Sequence, residues 1–167
     1  MAIVKYNNNE RELLARIMRA EALGDGNLAM LMVGNVIINR VLANCLTFKN
    51  IRTITDAIYQ KNQFTATNSS LFVGRPTSKE LELADRILKG EYYHPATNSL
   101  WFYNPGTNKP CAALWYDQRN SGKYKSHCFY IPYPGVCREI HQKKKNTSFF
   151  MELKVVVLFE EQYYLNC

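Results

Sequence analysis

Residues 28–42 set the first condition on any fold this chain can adopt. Wound as a helix, LAMLMVGNVIINRVL is apolar around nearly its whole circumference. A helix of that kind has to be covered by neighbours on every side. The run is interrupted by Asn35, Asn39 and Arg40, and no apolar stretch approaches the roughly 18 residues needed to cross a bilayer. The segment therefore reads as a central core helix and not as a membrane span. A chain of 167 residues, 47% hydrophobic and 21% charged, is long enough to build one folded domain around it.

The flanking segments supply the cover. Asn9 followed by Glu12 reads as an N-cap with its capping-box partner, opening a helix that runs to about Ala22. Gly24 and Gly26 end it, and Asp25 or Asn27 is placed to cap the core helix. A shorter helix is predicted over 51–60, with Thr53 or Thr55 as cap. Another is predicted over 78–88, capped by Thr77 or Ser78 and ending at Gly90. From 92 to 134 the character changes to Tyr, Trp, Phe, Asn, Pro and Gly in short alternating pieces, the pattern of short strands and ordered loops. Together these predict a single α+β domain over residues 1–140, with N-terminal helices and an aromatic, β-rich second half. Residues 141–167 differ again, with a basic run at Lys143, Lys144 and Lys145 ahead of an apolar piece, and read as an extension of unassigned role.

Charge narrows the partners. A net charge of +7 suits a polyanion (nucleic acid, acidic lipid or bacterial wall) or simply a solubilising surface. The basic residues are scattered or in the tail, and no nucleic-acid-binding module signature is present, so nucleic acid drops out. The opening MAIVKYNNNERELLAR is too polar for a secretory leader, which predicts synthesis in the cytosol. Five cysteines without a C-x-x-C pair argue against a zinc ribbon, and the odd count favours buried or free thiols. Pairing of Cys111 with Cys128 or Cys137 is the alternative. No H-E-x-x-H spacing and no acidic calcium loop is present, so no metal or other cofactor is expected.

One carboxylate stands out. With about 100° per residue, Leu14, Ile17, Met18 and Leu13 fall within about 80° of Glu21, whereas Arg16, Arg19 and Glu12 lie about 140° or more away. Glu21 thus sits on the apolar stripe, in the last turn, before two glycines. Partial burial raises a carboxyl pKa, and the negative end of the helix dipole acts in the same direction. A carboxylic acid held protonated near neutrality is what general-acid cleavage of a glycosidic bond requires. Helical phase alone leaves a second reading open, a structural glutamate paired with an arginine.

The string AEALGDG at 20–26, followed by VGNVIINRV at 33–41, resembles the SleB/CwlJ family of cell-wall hydrolases, the cortex-lytic enzymes of spore-forming bacteria. IYQKNQF at 58–64, SLWFYNP at 99–105 and KSHCFY at 125–130 follow in the family's order. The resemblance is closer to the CwlJ-like branch, in MLMVGNV and the cysteine of RVLANC, and covers residues 2–140. Ala29 and Met30 depart from the small residue and glutamine common in SleB-like members.

The resemblance implies a lysozyme-like fold related to lytic transglycosylases, with Glu21 as catalytic acid. The implied substrate is spore cortex peptidoglycan, cut between N-acetylmuramic acid and N-acetylglucosamine during germination. It also implies a location at the boundary of spore coat and cortex, with synthesis in the mother cell and no leader. A coat anchoring protein and activation by calcium dipicolinate are implied by family analogy only. Gln63, Phe64, Trp101, Tyr103, Asn104, His127 and Tyr130 fall in the matched motifs and are the candidate substrate-binding residues. Strand alternation requires Trp101 and Tyr103 to face away from Phe102, and His127 away from Cys128. A conventional glycosidase needs two carboxylates. With Glu21 alone the expectation is a lytic transglycosylase. A muramidase would use Asp25 as second acid, and a non-catalytic scaffold of the spore coat is the remaining alternative.

Overall fold

The computed structural model describes residues 1–106 and 108–141. At its centre lies α2 (Asn27–Ala43), in which every residue from Ala29 to Arg40 is buried. Packed around it are α1 (Asn8–Ala22), α3 (Ile54–Tyr59), α5 (Ser78–Leu88) and strand β1 (Trp101–Tyr103). A short helix, α4 (Ser70–Val73), lies against α1. The enclosure that an all-apolar helix demands is met. Position 34 allows the close approach: a Cβ there would lie 3.0 Å from both Ile87 Cγ1 and Met18 Sδ, so any larger residue would make those side chains shift where α2 nests against α1 and α5.

The capping signals hold with shifts. Thr53 with Asp56 and Thr77 with Glu80 form reciprocal boxes at α3 and α5, although α3 starts at Ile54 and not at 51. On α1 the cap is Asn7 with Glu10, not Asn9 with Glu12. The shift has a tertiary reason, because Glu10 also accepts from the Thr55 N–H and hydroxyl and ties the start of α1 to α3. Neither Asp25 nor Asn27 caps α2. Gly26 stands there at φ 87° without a side-chain bond, since Asp25 is turned to other partners.

The three polar residues that interrupt the apolar run have a shared task. Asn35 donates to the Glu91 carbonyl and accepts from the Tyr93 N–H. Asn39 donates to the carbonyls of Ala96, Thr97 and Ser99, and Arg40 Nε donates to that of Leu100. Residues 91–100 form neither helix nor strand, so these bonds supply the partners that their buried backbone needs and deliver the chain into β1.

The outer face of α1 departs from its expected solvation. Arg19 is 8% exposed and donates to the carbonyls of Leu71, Gly74 and Arg75 as well as to Glu80. Arg16 lies over the Phe72 ring. Helical phase placed both away from the apolar stripe correctly, but the segment around α4 covers that side as well.

The sheet is antiparallel, in the order β1–β4–β3–β2, with β2 at Leu114–Trp115, β3 at Gln118–Tyr124 and β4 at His127–Ile131. Trp101 opposes Tyr130, Phe102 opposes Phe129, and Tyr103 opposes Cys128, so alternation falls as predicted. Two disulfides, Cys45–Cys137 and Cys111–Cys128, correct the expectation of buried or free thiols, the second being the alternative that the sequence left open for Cys111. Four of the five cysteines pair, so an odd count does not exclude bridges; Cys167 and all of 142–167 lie outside the described residues. His141, assigned by sequence to the extension, is docked on the domain, stacked on Tyr92 with Nε2 3.1 Å from Asn39 Oδ1.

Candidate active site

The end of α1, the start of α2 and the β3–β4 turn converge. Glu21 lies in the last turn of α1, half-buried, and among the described residues no hydrogen bond engages its carboxylate. Burial pushes its pKa above the ordinary value, and the Arg40 charge opposes that without cancelling it. Arg40 is 3% exposed, and its guanidinium lies 4.9 Å from the ring centroids of both Phe48 and Phe64. Burial draws Arg40 below its usual value while Glu21 supports its charge, and it stays protonated at neutral pH. The result is a carboxyl that can hold a proton, with a cation near enough to stabilise the anion once that proton is given away.

Asp25, four residues on, is a different carboxylate. It accepts from the Ser126 N–H and hydroxyl, and its Oδ2 lies 3.0 Å from His127 Nδ1. Burial pushes Asp25 up, but the bonds from Ser126 and His127 outweigh it and hold the group below the ordinary carboxylate value. His127 is 5% exposed; burial lowers its pKa against the pull of Asp25. With Asp25 ionised, the neutral ring carries its proton on Nδ1 and donates it to Asp25. The cluster ties the turn after α1 to the sheet.

The remaining predicted residues separate. Gln63 and Trp101 border one pocket, together with Arg40, Phe102, Trp115 and Tyr116. Phe64 is 9% exposed and packs between Phe102 and Arg40, so it shapes the wall rather than offering a free face. Tyr103 stacks on Trp115 and Tyr130. One expectation of substrate contact is corrected: Tyr130 is fully buried, its hydroxyl donating to the Ala112 carbonyl. Asn104 is exposed, and its Oδ1 accepts from the Gly106 N–H. Arg40, Ser126, Trp115 and Tyr116 were not singled out from sequence. A charged residue inside an otherwise apolar helix was the available signal for Arg40, and its place in the KSHCFY motif that for Ser126; Trp115 and Tyr116 had none. Ala29 and Met30 are both buried in the core, so that departure is one of packing. No group of three metal-ligating side chains stands together among the described residues, and no described helix is long and apolar enough to cross a membrane.

Residues 24–130 match the family model described as Cell Wall Hydrolase. The chain belongs to that family. It is 55% identical to the cell wall hydrolase CwlJ of Oceanobacillus iheyensis over 84% of this chain and 99% of that one. Identity to the CwlJ of Bacillus subtilis is 43%, over 84% and 98%. Among solved structures, the catalytic domain of the Bacillus cereus SleB protein superposes with a TM-score of 0.60 at 22% identity, covering 75% of this chain and 92% of that one. The catalytic domain of the germination-specific lytic transglycosylase SleB from Bacillus anthracis gives the same score and identity, covering 75% and 96%. The fold is therefore the lysozyme-like one that the family resemblance implied. The family match begins at residue 24, three positions after Glu21.

Proposed function

We propose that this chain is a germination enzyme that cleaves the glycan strands of spore cortex peptidoglycan between N-acetylmuramic acid and N-acetylglucosamine. It acts as a lytic transglycosylase with Glu21 as its one catalytic acid. The observation that carries this is the contrast between two carboxylates: burial raises the pKa of Glu21, which no hydrogen bond engages among the described residues, while bonds from Ser126 and His127 hold Asp25 below its ordinary value. Similarity to proteins named cell wall hydrolase CwlJ and spore cortex-lytic enzyme supports the substrate and a spore-associated site of action at the coat–cortex boundary. The same family analogy adds a coat anchoring protein and calcium dipicolinate as activator.

In this reaction Glu21 gives its proton to the glycosidic oxygen as the C1–O bond breaks. The muramoyl 6-hydroxyl then attacks C1, and the Glu21 carboxylate takes the hydroxyl proton. A 1,6-anhydro ring forms, the acid is regenerated and no water is consumed. Arg40 stabilises the carboxylate between the two transfers. A muramidase would need a second group to orient water, and Asp25 Oδ2 already takes the bonds from Ser126 and His127.

The test is product analysis on cortex sacculi. The parent chain is expected to release anhydro-muropeptides, and Glu21→Gln to release none while keeping its fold. Reducing ends in place of anhydro ends would assign hydrolysis instead. Cortex binding without release by the parent chain would assign the scaffold.

A further inference from the structure

The β2–β3 turn is built from residues ill suited to its shape. Trp115 pairs with Gln118, so the connection is the two residues Tyr116 and Asp117. Both have positive φ, 47° and 60°. Turns of this form favour Asn and Gly, and a bulky side chain in the left-handed region is a strained choice. Tyr116 is also 79% exposed, so core burial does not account for it. Its ring lies 4.8 Å from that of Trp115, which in turn stacks on Tyr103. Gln118 Nε2 holds the tip by donating to the Tyr116 carbonyl.

Beside this tip is a cavity of about 510 Å³, bordered by Arg40, Gln63, Trp101 and Gln118 as well as the Trp115–Tyr116 pair. That size is ordinary for a small-molecule site. Arg40 Nη1 is buried and has no hydrogen-bond partner among the described residues, although Nε is satisfied by Leu100. An orphaned buried donor is rare and asks for an acceptor. No carboxylate borders the cavity; its polar side chains besides Arg40 are amides and hydroxyls. Flat aromatic faces, neutral amides and one unpaired N–H describe the recognition of an uncharged, acylated sugar ring.

We infer that this cavity is a saccharide subsite, in which the Trp115–Tyr116 turn covers the face of an N-acetylated hexose, Gln63 and Gln118 meet its hydroxyls, and Arg40 Nη1 donates to its acetamido oxygen. The inference rests on the proposed reaction for the kind of sugar, and Arg40 links the two places, since its charge also reaches Glu21. Tyr116 is then a substrate-gripping residue, its strained backbone the cost of holding an aromatic ring over the pocket.

The experiment titrates the full-length Glu21→Gln protein with tetra-N-acetylglucosamine, following tryptophan fluorescence. Trp101 and Trp115 are the two tryptophans of the chain, and both border the cavity. Saturable quenching or enhancement is expected. Adding Tyr116→Ala is expected to weaken the Kd roughly three- to tenfold with the thermal midpoint unchanged or raised. Adding Gln63→Ala, a second surface change, is expected to weaken it as well. Unchanged affinity in both variants, or no spectral change on binding, overturns the subsite. Cleavage of sacculi by the parent chain is scored separately. If the parent cleaves and Tyr116→Ala behaves like it throughout, the subsite fails and the reaction stands. If the parent fails to cleave while the Tyr116-dependent binding persists, the reaction fails and the subsite stands.

Discussion

The helical half and the strand half of this molecule are held together by different means. The helices satisfy their own backbones, which frees Asn35, Asn39, Arg40 and Arg19 to hydrogen-bond the carbonyls of segments that have no ladder of their own. The sheet is small, with two-residue β2 and three-residue β1. It relies on aromatic contacts around Tyr103 and Trp115 and on two disulfides. Chemistry divides along the same line. The acid and its counter-charge come from helices, and the flat faces and the Asp25 anchor come from strands and their turns. A scaffold that must keep a proton in place uses rigid helix ends, whereas one that must meet a sugar ring tolerates short strands held by stacking.

That division breaks first, and most visibly, at Glu21. Glu21→Gln is expected to lower glycan cleavage by roughly 10²–10⁴-fold, measured by muropeptide release, whereas Tyr116→Ala acts on affinity. Comparable losses from both would erase the separation. Next is Arg19, which is nine-tenths buried and bound to Glu80. Arg19→Met leaves Glu80 and three carbonyls without their partner and is expected to cost about 3–5 kcal/mol, read from urea denaturation. Because this damage lies in the helical half, it should be the same with or without reductant. On the strand side, replacing Cys45 and Cys137 together by serine is expected to cost roughly 2–5 kcal/mol. Denaturation under oxidising and reducing conditions checks it: the parent should lose more stability on reduction than the double variant, which has only the Cys111–Cys128 bond left to lose.

The smallest effect tests the buried acid directly. The folded-state pKa of Glu21 is raised above its ordinary value of 4.5. Its contribution is therefore fully favourable below that value and is lost as pH rises through the folded pKa. Glu21→Gln should match the parent in stability at acid pH and exceed it at neutral pH. Asp25 and His127 have the opposite sense. Both folded-state pKa values are lowered, so their contribution is present above the unfolded values and fades as pH falls. In a Glu21→Gln background, stability should therefore decline on acidification, and Asp25→Asn should flatten that decline. Thermal midpoints of the three proteins across pH check both senses.

The architecture was legible in the sequence where periodicity is long. The burial of α2, the α5 boundaries and the alternation at Trp101, Phe102 and Tyr103 follow from spacing, and each cap of α3 and α5 was narrowed to two residues, of which Thr53 and Thr77 serve. The partial burial of Glu21 was legible for the same reason, because helical phase is a local property. What sequence did not carry is what separate segments do to one another. Asn7 and Glu10 win the cap of α1 through Thr55, forty-five residues away in sequence. Arg19 is buried by a segment around α4 that no periodicity announces. Asp25 meets Ser126 and His127 across 101 and 102 positions. Tyr130 sits in a matched motif, yet it is core, because a residue in a motif can serve packing as well as contact.

The Cys45–Cys137 bond joins positions 92 apart. The chain between them, which carries Gln63, the whole sheet and the Asp25-binding turn, is a closed covalent ring. A single protease cut anywhere inside that ring opens it without releasing a fragment, and the two pieces migrate as one until a reductant is added. A nicked molecule therefore keeps both walls of its cleft in register.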